Sequence, residues 1–460
     1  MSRRFSFRFA TFAAAAAAIL GAVPYAAAQE SIRQEQPTPS SVEESVTPID
    51  RLFSPRAERP VLFPQLRDEL ADQPQFIRDA KVDVNLRVFD MDRSNFDGSK
   101  SHAWAGGGAL SLQSGYLLDA LAVGGVVYTS QPIYAPLSED GTLLLQTGQR
   151  GYTALGQAYA RVKFLDTNFL NLYRYAYNTP FIDRDDSRMS PNTFEGYTMN
   201  GTYAGADDAY NLRYGAGYIT KMKPRNAENF ISMSKAAGAS VDRGVAVAGA
   251  LYTAGQFSLG AINYFSNDII NIGYAESKYN APLLADVHGQ LAMQYTNQRS
   301  VGGNLLTGSS FATDQFGFKV EMSRDRAILS FAYSIIGDGA DIQKPWSGNP
   351  IYTGAMDQNY NRAGEQALLV KASYDFADLG LAGVTAYALY VHGWTNVAPP
   401  GKPPVTKENE LDLDLQWRPQ WDGLNGLWLR ARYGYIQLTQ GTQTTQRDLR
   451  LIFNYDIAAF

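Results

Sequence analysis

The chain has 460 residues and no cysteine, with 40 basic against 45 acidic residues for a formal net charge of −5. This balance excludes the basic footprint of a nucleic-acid binder, and the missing cysteines exclude disulfides and thiolate metal sites. A charged fraction of 18% and a mean hydropathy of −0.25 look water-soluble, but strands that alternate apolar and polar residues average to the same values.

At the N-terminus, Arg3, Arg4 and Arg8 precede an apolar run from Phe9 to Val23 that contains six consecutive alanines. Ala26-Ala27-Ala28 follows as a small-residue cleavage site. The pattern predicts an export signal over 1–28 cut before Gln29; the run is too short for a span of ~20 residues. Removing three arginines and no acid takes the balance from −5 to −8. Residues 29–78 hold seven prolines and no glycine, which predicts an extended, Pro-rich periplasmic tail. Within it, Leu62 to Phe76 reads as a linker, with a short helix or plug-like segment as the alternative.

From Asp79 to Phe460 the composition turns rich in Gly, Tyr, Phe and Trp. No later segment has eighteen consecutive apolar residues, so no transmembrane helix is expected. The pattern predicts eighteen strands, at 82–90, 103–113, 118–129, 153–164, 169–178, 195–204, 210–219, 241–252, 256–265, 269–279, 286–298, 313–323, 326–336, 365–376, 383–392, 408–417, 427–437 and 447–459. Asp166-Thr167-Asn168, 204–208, Thr253-Ala254-Gly255 and Arg324-Asp325 are short connections of even rank. The long connections 179–194, 220–240 and 337–364 are of odd rank. Short turns at one end and long loops at the other suit an outer-membrane barrel. Ser266-Asn267-Asp268 breaks the parity, being short where a loop is expected.

Each strand has two faces, because successive side chains alternate. In Glu410–Trp417, Leu411, Leu413, Leu415 and Trp417 oppose Glu410, Asp412, Asp414 and Gln416. Val82, Val84, Leu86 and Val88 oppose Asp83, Asn85, Arg87 and Phe89. Ala154, Gly156, Ala158, Ala160, Val162 and Phe164 are assigned outward, with Gln157, Tyr159, Arg161 and Lys163 inward. Leu368, Val370, Ala372 and Tyr374 oppose Lys371, Ser373 and Asp375; Leu429, Ala431, Tyr433 and Tyr435 oppose Arg430 and Arg432. A basic residue on the lipid face costs ~2–4 kcal/mol near the midplane. Five or six such errors exceed a domain stability of ~5–15 kcal/mol, so the charges are expected in the lumen. Trp104, Trp417 and Trp428, near strand ends, suit interfacial girdles.

The expected fold is thus all-β, a transmembrane antiparallel β-barrel of eighteen strands with lipid outside and water inside. Its inward basic residues, Arg87, Arg161, Lys163, Arg430, Arg432 and Arg450, form a candidate path for anionic groups. A guanidinium fork binds carboxylate bidentately, and pore water keeps each contact weak enough to release. Asp412 and Asp414 lie one strand before Arg430 and Arg432 and are expected to pair with them across strands.

Four motifs carry a family resemblance. They are Phe76-Ile77-Arg78-Asp79-Ala80-Lys81-Val82-Asp83-Val84-Asn85-Leu86-Arg87, then Asn178-Thr179-Pro180-Phe181-Ile182-Asp183-Arg184-Asp185-Asp186-Ser187-Arg188 with Pro191-Asn192-Thr193-Phe194-Glu195-Gly196, then Asn359-Tyr360-Asn361-Arg362-Ala363-Gly364-Glu365, and Leu449-Arg450-Leu451-Ile452-Phe453-Asn454-Tyr455. Over roughly 76–460 the chain resembles the OprD family of outer-membrane porins. The resemblance implies an eighteen-stranded monomeric pore in a Gram-negative outer membrane, taking up small, often carboxylate-bearing nutrients. It implies that the third external loop folds inward and, with the seventh, narrows the channel. Arg188 matches the inward loop's arginine, and Arg87, Arg430, Arg432 and Arg450 match the basic ladder. Asp186 and Asp357 are placed with Arg188 at the constriction. Asn359 is an amide where some relatives carry an acid. The partners expected are small anionic or zwitterionic solutes, outer-membrane lipid and lipopolysaccharide, and the barrel-assembly machinery through the strand ending at Phe460.

Other chemistry finds little support. His102, His288 and His392 are far apart and lack metal-ligand spacing, so no metal and no cofactor are expected. Gly106-Gly107-Gly108 lies in a strand and opens no helix, so it is not a phosphate loop. Ser101-His102 has no evident orienting partner for hydrolysis, so the chain is not expected to be an enzyme. A non-conducting barrel acting as adhesin or receptor is the alternative from another class.

Overall fold

The computed structural model describes residues 59–205, 209–284, 286–421 and 423–460. The expected export signal and residues 29–58 of the expected tail lie outside these. The described chain closes into an antiparallel barrel, because β1 (Lys81–Ser94) pairs on one side with β2 (Lys100–Gln113) and on the other with β19 (Thr442–Ala458). Between them run β3 (Leu121–Tyr134), β4 (Tyr152–Phe164), β5 (Asn168–Tyr175), β6 (Thr193–Ala204) and β7 (Asn211–Lys223). A two-residue β8 (Ile231–Ser232) attaches to the end of β7 outside the barrel order. The wall continues through β9 (Val245–Ala254), β10 (Phe257–Ser266), β11 (Ile270–Leu284), β12 (Val287–Arg299), β13 (Ala312–Arg324) and β14 (Ala327–Ile336). It is completed by β15 (Gln366–Asp375), β16 (Val384–Trp394), β17 (Lys407–Trp417) and β18 (Leu427–Gln440). Without β8 the wall has eighteen strands, a circumference that leaves an aqueous channel.

Burial is the reverse of a water-soluble protein. On β17, Leu411, Leu413 and Leu415 are 37%, 46% and 51% exposed, whereas Glu410, Asp412 and Asp414 are 0%, 2% and 3% exposed. The carboxylates face in and the leucines face out, as lipid requires. The same contrast sets Leu368 and Val370 outward on β15 and Leu449, Leu451 and Phe453 outward on β19.

All eighteen expected strands are present, including the pair across Ser266-Asn267-Asp268, where β10 and β11 hydrogen-bond in continuous register. Two facing assignments change. In β4 the register shifts opposite Val126/Val127, with Leu155 and Gln157 taking successive partners. This bulge around Gly156 turns Ala154 and Gly156 inward and Leu155 outward, because an extra residue reverses the alternation. A side chain at Gly156 would meet the Tyr128 ring. Trp428 also belongs inside: its Nε1 donates to Gln416 Oε1 at 3.1 Å and Arg430 stands over its ring. Trp417, by contrast, packs edge-on with exposed Trp421 at the short-turn end.

Before β1, two short helices occur, α1 (Pro64–Glu69) and α2 (Gln75–Arg78). Leu62 N donates to Ala458 O at 3.0 Å and Phe63 N to Ala459 O at 2.8 Å, so this segment pairs with the end of β19.

Candidate functional site

Two long connections at the loop end reach wall residues, and their meeting defines the site. One is 176–192, between β5 and β6; the other is 337–365, between β14 and β15. In the first, successive polar residues leave backbone and side chains that need partners, and wall arginines supply them. Arg87 of β1 donates from Nη1 to Asp186 Oδ1 at 2.8 Å and to the Arg188 carbonyl at 2.5 Å, and from Nε to Asn454 Oδ1 at 2.7 Å. Arg184 reaches the other Asp186 oxygen at 3.3 Å. Burial alone would raise the Asp186 carboxyl, but Arg87 and Arg184 overcome it and hold the group below its ordinary range. Arg225, from the connection after β7, pairs with Asp185 at 2.5 Å and donates to Ser187 Oγ at 2.6 Å.

Arg188 differs from these. It is 5% exposed, and its Nε donates to the Thr142 carbonyl at 2.8 Å while Nη1 donates to the Ser187 carbonyl at 2.8 Å. Among the described residues it makes no ion pair with a carboxylate. Burial, and then the positive charges of Arg450, Arg225 and Arg93, push its pKa well below the usual guanidinium value. A buried cation surrounded mainly by cations favours an anionic visitor.

The second connection is fastened by acids of β17. Glu410 accepts the backbone N–H of Asp357 at 2.7 Å and of Gln358 at 2.8 Å, and Asp412 accepts that of Met356 at 2.9 Å. The Asp357 carboxylate then takes Arg93 Nη2 at 2.6 Å and Arg450 Nη2 at 2.7 Å through one oxygen. Asp448 holds the same two arginines at 2.6 and 2.8 Å. Nearby, Lys344 donates to Asn359 Oδ1 at 2.6 Å, so the amide at 359 faces a cation of the protein's own.

On the wall, Asp414 pairs with both Arg430 and Arg432, at 2.7 and 2.8 Å. Asp412, expected beside them, instead lies opposite Gly434 and holds the loop. Arg432 stands directly across from Arg450 in the β18–β19 register. The structure therefore gathers Arg87, Arg188, Arg450, Asp186 and Asp357 near the loop contacts, with Arg430 and Arg432 on the adjoining wall. Arg161 and Lys163 lie elsewhere, near the 165–167 turn. Arg161 stacks over Phe169 at 4.2 Å and Lys163 pairs with Asp119 at 3.3 Å. Arg93, Arg225 and Asp448 are not among the residues expected at the site, and Glu410, expected on the charged face of its strand, was not expected to hold a loop. Arg93 falls outside the expected first strand, which ends at residue 90, four residues short of the end of β1, although its odd register matches Arg87.

Comparison with known proteins shows the family and the barrel fold. A family model described as outer membrane porin, OprD family, matches residues 74–459. The porin-like protein GalP of Pseudomonas putida is 22% identical over 421 residues, covering 83% of this chain and 93% of the relative. Among crystal structures from Pseudomonas aeruginosa, OpdK with vanillate superposes with a TM-score of 0.72 at 20% identity, covering 83% of this chain and 100% of OpdK. OpdF in complex with glucuronate gives 0.71 at 20% identity over 84% of this chain and 100% of OpdF. OpdG gives 0.73 at 22% identity over 84% and 100%.

Proposed function

The chain belongs to the OprD family of outer-membrane porins, and we propose that it admits small carboxylate-bearing solutes past a constriction built on Arg188. The observation that carries this reading is the buried Arg188 guanidinium, which among the described residues lacks a carboxylate partner and is surrounded by Arg93, Arg225 and Arg450. We infer that the segments 176–192 and 337–365 fold into the lumen, since Asp186 and Asp357 contact wall residues Arg87 and Arg450. A solute carboxylate would pass between Arg188 and the inward basic residues Arg87, Arg450, Arg432 and Arg430, exchanging one charge-assisted hydrogen bond for the next. Arg161 and Lys163 would serve the far end of the path. OpdK and OpdF, crystallised with vanillate and glucuronate, offer two carboxylates as probes. The outward leucines and Trp417/Trp421 would meet outer-membrane lipid and lipopolysaccharide, with the strand ending at Phe460 presented to the assembly machinery.

The test is glucuronate uptake into proteoliposomes together with planar-bilayer recording. Wild type is expected to conduct and to show saturable glucuronate flux. Arg188→Gln should lower that flux about tenfold, equivalent to ~1.4 kcal/mol, while keeping the folded barrel. A barrel without conductance would instead favour a receptor or adhesin, and unchanged flux in the variant would remove Arg188 from the path.

A further inference from the structure

We propose that Asp357 is a built-in competitor for the solute: a loop carboxylate seated on Arg450 and Arg93 that a passing carboxylate must displace. This rests on the carboxylate reading above and adds to it a residue that sets affinity and charge preference.

Three observations converge on Asp357. First, its carboxylate takes one guanidinium N–H from each of two wall arginines, at 2.6 and 2.7 Å, much as a free carboxylate would bind. Arg450 is 2% exposed, with its Nη2 shared between Asp357 and Asp448, so a solute carboxylate that binds this nitrogen takes the place of Asp357. Second, Asp357 is only half satisfied, because its Oδ2 is buried without a hydrogen-bond partner. A buried unpaired oxygen lowers the cost of leaving, since that desolvation is recovered on exit. Third, the loop does not need this carboxylate to stay in place. Three successive backbone N–H groups, from Met356, Asp357 and Gln358, are already held by Asp412 and Glu410.

Asp186 is likewise a loop carboxylate, seated on Arg87, but the other acids around Arg430, Arg432 and Arg450 are built differently. Asp448 sits on β19 itself, two residues before Arg450, and Asp414 sits on β17, so each is fixed by a strand ladder. Among the described residues, only Asp357 of the acids ion-paired to Arg450 comes from a connection. Gly434 of β18 makes room for it. A Cβ there would stand 2.6 Å from Met356 Cε, 3.1 Å from Asp357 Oδ2 and 3.3 Å from Asp412 Oδ1.

The experiment compares wild type, Asp357→Asn, Asp448→Asn and Gly434→Ala in proteoliposomes. The probes are sodium glucuronate and uncharged galactose, with the chloride-to-potassium permeability ratio measured in planar bilayers. Asp357→Asn should lower the half-saturating glucuronate concentration about three- to tenfold and raise the permeability ratio, with galactose flux unchanged. Asp448→Asn should raise the ratio without lowering half-saturation, because Asp357 stays seated. Gly434→Ala, which alters no charge, should lower half-saturation by crowding Asp357 Oδ2 and loosening its seat on the arginines, and it serves if Asp357→Asn does not fold. Equal half-saturation in wild type, Asp357→Asn and Gly434→Ala would overturn the proposal. So would a gain in galactose flux equal to that in glucuronate, which would mean the loop is only a steric plug. If wild type shows saturable glucuronate flux that Arg188→Gln lowers, such a result removes the competitor and leaves the porin reading standing. Wild type without saturable glucuronate flux would overturn both.

Discussion

Asp414 is one carboxylate shared between two guanidiniums, Arg430 and Arg432, while Tyr387 takes a further N–H of Arg432 at 3.0 Å. Both arginines keep some exposure, so pore water screens part of the attraction. Asp414→Asn leaves two like charges one register step apart with only an amide between them. The expected cost is about 2 kcal/mol, below the 3–5 kcal/mol typical of a fully buried broken pair. It would be read as a lower unfolding midpoint of the heat-modifiable band in urea, together with a higher chloride-to-potassium ratio. An unchanged midpoint would show that water already compensates the pair. Residue types and faces on β17 and β18 were legible in the sequence, because leucines and charges alternate there without interruption. The pairing was half legible. Asp414 meets its expected arginines, but Asp412, on the same strand face, finds its partner in a loop 56 positions away. Arg450 and Asp357 are 93 positions apart, and periodicity carries no information about such contacts.

The connection 337–365 behaves as an element without regular structure, fastened at its tip to the acids of β17. Burial pushes the Asp357 carboxyl up to about 6, against the pull of Arg450 and Arg93, and Asp448 adds to the rise. The group is therefore mostly ionised at pH 7.5 and mostly protonated at pH 5. Protonation removes a negative charge from beside Arg93 and Arg450, so carboxylate flux should rise as pH falls across that interval. Glucuronate itself stays ionised there, as carboxylates ordinarily titrate near 4. Glu410 and Asp412 from β17 and Asp448 from β19 face the same tip, and the control is therefore Asp357→Asn, whose flux should lack the step centred near pH 6. An identical step in the variant would assign the titration to one of those three acids. Strands were legible as elements because period-two contrast is strong over ten residues. It failed at Ala154–Gly156, where small residues carry no inside-outside contrast and a bulge reverses the faces. It was also blind to β8, which is two residues long.

At the scale of the molecule, stability comes from closure. The last strand returns to the first through twelve registered residue pairs between β1 and β19, so no barrel edge is left open. The segment before β1 adds little to this seam. Pro60 O accepts from Ala458 N at 3.0 Å, and Leu62 and Phe63 donate to Ala458 and Ala459. With each hydrogen bond worth ~1 kcal/mol net, the three together stabilise the barrel by at most about 3 kcal/mol. Residues of α1 and α2 bury no side chain, so the helices contribute no core. Deletion of Glu30–Pro74 should therefore leave a barrel that folds, migrates as a heat-modifiable species and conducts, with its unfolding midpoint lowered slightly. Refolding of the deletion variant from urea into lipid vesicles tests this without dependence on export. If no heat-modifiable band forms there while the full chain folds, Pro60–Phe63 is required to close the β1–β19 seam and is not an accessory to it.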